Sequence, residues 1–271
     1  MKKYVQILRF YQQFLLVVLS SALFTSVLSS CAVTLNLPTS RFDSPEAKGE
    51  PGKFRLDMLA LEGNESLILT QDYTAQGPNF DNPAIERAGL SYRAAVGFSV
   101  LERADIDLKF HWNSPLMLQA KYQILGEPKT RASEGNVSLS WSLAAGRSSD
   151  QRSGSSLFER TTAVLMSTRY TVYDTGAILG YRISDATVAY GGPFYSYYSI
   201  EGERTLKPYK GTSTVESFSG SPRVAGVNLG VEVGVGPSAV FMLEYSYVRT
   251  AAGATITNES FAGAEFGFHL L

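Results

Sequence analysis

From Lys53 to the last residues, apolar and polar side chains alternate with a period of two, the mark of β-strands whose two faces meet different surroundings. In 90–100, one face carries Leu90, Tyr92, Ala94, Val96, Phe98 and Val100, and the other Ser91, Arg93, Ala95, Gly97 and Ser99. Ile106, Leu108, Phe110 and Trp112 stand in the same way against Asp105, Asp107, Lys109 and His111. Leu116, Leu118, Ala120, Tyr122 and Ile124 alternate with Met117, Gln119, Lys121 and Gln123, and Val137, Leu139, Trp141 and Leu143 alternate with serines. The pattern returns in Val227–Val235 against Asn228, Gly230, Glu232 and Gly234, and in Phe266, Phe268 and Leu270 against Glu265, Gly267 and His269. No helical periodicity of similar length follows Cys31, although Leu157–Thr168 has room for a short helix. The pattern predicts an all-β, antiparallel fold.

Alternation alone does not say which face meets water. A soluble sandwich or small barrel turns its apolar face inward. A transmembrane β-barrel turns that face to lipid and lines its lumen with polar side chains. Run length favours the membrane, because the runs match the roughly 9 to 11 residues a tilted strand needs to cross a bilayer, against about 5 to 6 for an average soluble strand. The polar faces mix Gly, Ala and Ser with Arg and Glu, as a narrow lumen requires, and Tyr73, Trp112, Tyr245 and Tyr247 fall near strand ends, where an interface holds aromatics. Composition agrees: charged residues make up 18%, below the roughly 25% usual for soluble domains. The 24 Lys+Arg and 25 Asp+Glu nearly cancel and form no run of one sign, which argues against nucleic acid as a partner.

Membrane barrels of this type keep short turns on the periplasmic side and long loops outside. Residues 249–258, 201–222, 147–168, 113–115 and 76–87 then fall outside, with Gly236-Pro237-Ser238, Ser184-Asp185-Ala186, 126–134 and 101–104 on the periplasmic side. That arrangement predicts about ten strands beginning near Leu67, with 53–61 as a periplasmic or extra strand. Dividing 161–183 into two strands makes about twelve, and a count of about eight also stays open.

The N-terminal residues carry an address. Lys2, Lys3 and Arg9 supply a basic start, Phe14–Phe24 an apolar centre, and small residues lead to Cys31, the layout of a secretory signal peptide. The apolar run falls short of the roughly 20 residues of a spanning helix, the reading that would retain it as an anchor. Leu28-Ser29-Ser30-Cys31 resembles the lipobox of bacterial lipoproteins. The resemblance implies that Cys31 becomes the mature N-terminus and carries palmitate-type acyl chains, several of which together anchor durably where one does not. In that family an Asp after the cysteine favours inner-membrane retention; Ala32 stands there instead. Ordinary cleavage after Ala32 would discard the cysteine and remains open. Cys31 is the only cysteine, so neither an intrachain disulfide nor a thiolate metal site can form. Residues 32–52 hold Pro38, Pro45, Gly49, Pro51 and Gly52 without apolar periodicity and read as a linker. The expected organisation is a signal peptide at 1–30, a periplasmic lipid-anchored tether at 31–52 and the barrel at 53–271.

Gly263-Ala264-Glu265-Phe266-Gly267-Phe268 resembles the C-terminal signal read by outer-membrane assembly machinery, with Leu270-Leu271 in place of a final Phe and Phe261 where a polar residue is typical. Together the resemblances imply a protein of the Gram-negative outer membrane with its N-terminus in the periplasm. The implied partners are outer-membrane lipid, the export and lipoprotein-processing machinery and the barrel-assembly machinery. The expected lumen holds Arg93, Asp107, Lys109, Lys121, Arg182, Glu232, Glu244 and Glu265. Buried charges must be paired, so cross-lumen ion pairs that plug a narrow barrel are expected, with a narrow porin-like channel as the other reading. Chemistry is thinly provided for. His111 and His269 are the only histidines, and Glu265 and His269 lie about 13 Å apart along one strand face. No His-x-Ser pairing of the lipid A deacylase kind is present, Asp105-x-Asp107 lacks the remaining calcium ligands, and no Gly-rich phosphate loop occurs. No catalytic residue, metal site or cofactor is assigned. The expected function is a structural or narrow-channel barrel lipoprotein without catalysis. A soluble β-sandwich or lipocalin-like lipoprotein binding an apolar ligand, and a barrel hydrolase of envelope lipids, are the alternatives.

Overall fold

Long runs rich in aromatic and branched residues settle as pleated strands, and each strand must then pair its backbone N–H and C=O groups with a neighbour. The computed structural model describes residues 34–52, 54–68, 84–155, 162–208, 211–235 and 239–270. The described residues form β1 (Thr34–Leu37), β2 (Phe54–Ile68), β3 (Ala84–Leu101), β4 (Ala104–His111), β5 (Met117–Leu125) and β6 (Val137–Ser155). They continue with β7 (Thr162–Ser184), β8 (Thr187–Pro208), β9 (Thr214–Gly220), β10 (Arg223–Val235), β11 (Ala239–Ala252) and β12 (Thr255–Leu270), and no helix.

Ten of these strands close on themselves in the order β2-β3-β4-β5-β6-β7-β8-β10-β11-β12, all antiparallel, with β12 returning to β2. Closure leaves no free edge, which is what a sheet immersed in hydrocarbon requires. The count of ten stands, but the first strand is not the one expected near Leu67. Residues 54–61, set apart from the ring by the sequence, pair on one side with β12 and on the other with β3. A bulge between Asp57 and Ala60 shifts the register there, so the strict alternation that marks the other strands is broken in this one.

The connections 102–103, 126–136 and 185–186 lie at one end of the ring, the turn end. At the other end β6, β7 and β8 run on far past their neighbours, and β9 adds to β8. Much of what was expected as external loop is therefore strand: 147–155 belongs to β6, 162–168 to β7, 201–208 to β8 and 214–220 to β9. The short helix foreseen at 157–168 is strand over 162–168, where Thr168 pairs with Asp150 and Gly202. At 249–258 only a tight turn at 253–254 separates β11 from β12, with Gly253 at φ 60°. Tyr73, the turn at 236–238 and 157–161 lie outside the described residues.

The burial pattern is inverted relative to a soluble protein. Leu90, Leu118 and Leu229 are 70%, 57% and 61% exposed on the outer face, while Arg93 and Glu265 are 2% and 1% exposed inside. On β7 the outward row Tyr173, Thr175, Ala177, Leu179, Tyr181 and Ile183 covers about 33 Å of strand. Tilted by about 40°, that row stands roughly 25 Å tall, the height of a transmembrane apolar band. The fold is a ten-stranded transmembrane barrel of the outer-membrane type, and a soluble sandwich would bury the rows that are exposed here.

Candidate functional site: a threaded lumen

Ten strands spaced about 4.8 Å apart and tilted about 40° close on a backbone radius of roughly 10 Å, and inward side chains narrow this to an opening of about 8 Å. The opening is filled by the chain itself. β1 pairs with the part of β2 that β12 leaves free, Thr34 opposite Ile68 and Leu37 opposite Glu65, at the long-strand end. There the Asn36 N–H donates to the Asn113 carbonyl at 2.9 Å and its side-chain amide to the Trp112 carbonyl at 2.9 Å. At the turn end the Ala47 carbonyl accepts from the Lys129 N–H at 2.9 Å, and the Gly52 N–H donates to the Ser99 carbonyl at 2.8 Å. Residues 34–49 thus run the whole lumen, from the long-strand end to the turn end, before the chain reverses into β2. Gly49 and Gly52, at φ 98° and 89°, make that reversal.

This corrects the expected tether. Residues 34–49 lie inside the ring and enter it at the long-strand end. Their lack of periodicity has a physical cause: a strand in a sheet has two faces, whereas a segment inside a barrel meets wall on every side.

The lumen has two zones. Near the long strands, Leu35 and Leu37 join an apolar cluster with Tyr170, Val172, Tyr198 and Ile200. Toward the turns the wall is charged, and it grips the segment by its backbone as much as by its side chains. Glu244 accepts from the N–H groups of Arg41 at 2.5 Å and Phe42 at 2.8 Å, and also from Asn228 at 2.7 Å and the Tyr190 hydroxyl at 3.1 Å. Lys121 donates to the carbonyls of Ser44 at 2.9 Å and Glu46 at 3.2 Å, and pairs with Asp105 at 3.2 Å. The Gln123 amide oxygen accepts from the Ala47 N–H at 2.7 Å.

Side-chain pairs complete the grip. Lys109 meets Asp43 at 2.6 Å, and Gln119 donates to the other oxygen of the same carboxylate at 3.0 Å. Asp107 meets Lys48 at 2.9 Å. Arg182 embraces Glu46 through Nε at 3.0 Å and through Nη2. Arg41 reaches Asp174 at 2.6 Å and Ser196 at 2.7 Å, with its guanidinium 4.0 Å above the Phe194 ring. Small wall residues make room: a side chain at Gly180 would overlap the Pro45 ring, and a Cβ at Gly263 would lie 2.6 Å from Phe42.

All eight charged residues expected in the lumen point inward. Asp107, Lys109, Lys121, Arg182 and Glu244 hold the threaded segment. Arg93, Glu232 and Glu265 find their charge partners in the wall and its turns: Arg93 and Arg55 share Glu265, Arg55 also meets Asp57 at 2.5 Å, and Glu232 meets Lys129. Cross-lumen pairing was expected; most partners come from within. The sequence reading missed Arg41, Asp43, Glu46 and Lys48, placed in a linker. The signal available was their mixed sign beside Phe42, Leu35 and Leu37, an unusual content for a solvated tether. Cys31 and the side chain of His269 lie outside the described residues. His111 faces Glu62 at 3.1 Å with 2% exposure, and among the described residues no carboxylate, histidine and cysteine grouping could hold a metal ion.

No protein-family model and no curated protein matches this chain. Among solved structures, the attachment invasion locus protein Ail of Yersinia pestis aligns with a TM-score of 0.31 at 9% identity, over 81% of this chain and 98% of its own. Neisserial surface protein A aligns with a TM-score of 0.32 at 12% identity, over 80% and 96%. The outer membrane protease OmpT of Escherichia coli aligns with a TM-score of 0.40 at 12% identity, over 80% and 93%. The superpositions are loose, and the ring of this chain stands on its own ladder of pairings.

Proposed function

We propose that this protein is a closed outer-membrane lipoprotein barrel, sealed by its own residues 34–49, that acts as a scaffold displaying the long strands β6 to β9 outside the cell. One observation carries this reading: a continuous stretch of chain threads the lumen and is bound along its length by wall carboxylates, amides and ammonium groups. Buried charges that are paired this closely are costly to separate, which favours a seal over a gate that opens with ease. A channel reading requires free cross-section, and the threaded segment occupies it. Of the two histidines a hydrolase reading could use, His111 is enclosed against Glu62. With the long strands outward, the segment is entered from the outer side, so a periplasmic N-terminal tether is replaced by an outward-facing start. Acylation at Cys31 rests on the lipobox resemblance.

The test is a planar-bilayer recording on the folded protein, with the ring verified by a mobility shift between unboiled and boiled samples on SDS gels. The full chain is expected to shift on boiling and to stay silent, and a variant lacking 35–48 to shift and conduct. Steady conductance by the full chain would remove the sealed reading and leave the narrow channel. Incorporation of labelled palmitate, lost in Cys31→Ser, checks the anchor.

A further inference from the structure

The outer face of the barrel carries a feature that sealing the lumen does not use. On β6 the outward row Leu143, Ala145 ends at Arg147; on β7 the row Thr175, Tyr173 is followed by Thr171 and Arg169. On β11 Tyr245 and Tyr247 lead to Arg249, and β10 begins with Arg223, which lies across the ladder from Tyr197 of β8. The register sets these arginines in two diagonal pairs. Arg147 faces Thr171 while Ser149 faces Arg169, and Arg223 faces Ala251 while Ala225 faces Arg249. Tyr197 stands between the pairs, opposite Tyr173 on one side and Arg223 on the other. All four arginines are exposed, and none is in an ion pair with a described residue. Glu201 lies across the ladder from Arg169 at this level.

Directly on the turn side of Arg147 lies a groove of about 480 Å³, open to the membrane and almost wholly apolar. Leu118, Ala120, Leu143, Ala145, Tyr173 and Tyr195 line it. The small side chains of Ala120 and Ala145, set among tyrosines and leucines, leave the hollow. Arg147 follows Ala145 by two residues, about 7 Å along the strand. Cationic side chains thus stand over an apolar slot at the level where tyrosines mark the interface.

We propose that this face binds a membrane lipid whose headgroup carries more than one phosphate, with the phosphates on the arginine pairs and an acyl chain in the groove. Arginine forks bind phosphate through two parallel hydrogen bonds, and the ring of tyrosines holds the depth. The two pairs span four strand spacings from β6 to β11, about 19 Å, too wide for one phosphate and suited to a large headgroup with separated charges. The site rests on the reading of the protein as a membrane barrel with the long strands outward.

The experiment uses the full-length folded protein in detergent and compares binding of bis-phosphorylated lipid A with binding of the same lipid after phosphate removal. Phosphate removal is expected to weaken binding at least tenfold. The double variants Arg147→Gln/Arg169→Gln and Arg223→Gln/Arg249→Gln should each lose a similar factor. Ala145→Trp, which fills the groove and leaves the arginines in place, should weaken binding too. All variants should keep the boiling-dependent gel shift, because the altered side chains point away from the ring's interior. Equal binding of the dephosphorylated lipid, or unchanged affinity in the quadruple Gln variant, overturns the proposal; unchanged affinity in Ala145→Trp overturns its acyl half. Absence of the gel shift in the unaltered protein would strike the barrel reading instead, so the two failures are told apart.

Discussion

Neutralising Asp43 asks whether the threaded segment is held as described. Its carboxylate receives Lys109 at 2.6 Å and Gln119 at 3.0 Å, and the side chains of Asp43 and Lys109 are 8% and 5% exposed. Asp43→Asn keeps the size and an oxygen for Gln119, but leaves the Lys109 ammonium enclosed without a counter-charge. Breaking one side of such a pair costs about 3–5 kcal/mol, or roughly two to three and a half decades in the equilibrium. Lys109→Met strands the carboxylate in the same way. The double variant removes both charges, and apolar or neutral replacement of a buried pair is close to neutral, so it should recover at least about 2 kcal/mol relative to the sum of the single losses. The assay is guanidinium unfolding in micelles followed by tryptophan emission, which Trp112 and Trp141 report from the lipid-facing surface, where they are 45% and 51% exposed. Single losses that add to within about 0.5 kcal/mol would show that the two groups do not meet, and the threaded lumen would have to be abandoned.

Three further outcomes follow from the same geometry. Gly180→Leu drives a side chain into the Pro45 ring and should lower the unfolding midpoint by an overpacking cost of about 1–3 kcal/mol, whereas Gly220→Leu, with nothing within 4 Å, should not move it. Leu179→Arg places a charge in the middle of the lipid-facing row of β7 and should cost about 2–4 kcal/mol in bilayer refolding; Val215→Arg, on β9 beyond the band, should cost nothing measurable. An epitope inserted immediately before Thr34 should be labelled by antibody on intact cells, and one inserted within 126–136 only after the outer membrane is permeabilised. The reverse labelling would place the turn end outside and invert the orientation.

The wall was legible from single strands. Arg93 beside Tyr92, or Lys109 beside Leu108, declares its face because side chains alternate across any pleated strand, whatever it pairs with. The same regularity placed all eight lumen charges inward. It failed at 54–61, where the bulge at Asp57 broke the alternation, and at 147–168 and 201–220, where strands continue past the membrane band and no longer carry the lipid-facing row that marks them as strands.

The alternation by itself determined the all-β strands and which charges share a face, because period two is a property of the local backbone; run length and composition turned that face inward. Only the closed tertiary structure decided what fills the ring. Lys109 and Asp43 are 66 positions apart, and Arg182 and Glu46 are 136 apart. Such partners are chosen by which parts of the wall surround a segment once ten strands have closed about it. Residues 34–49 carry no periodic pattern of their own because wall touches them on every side, and the identity of that wall exists only in three dimensions.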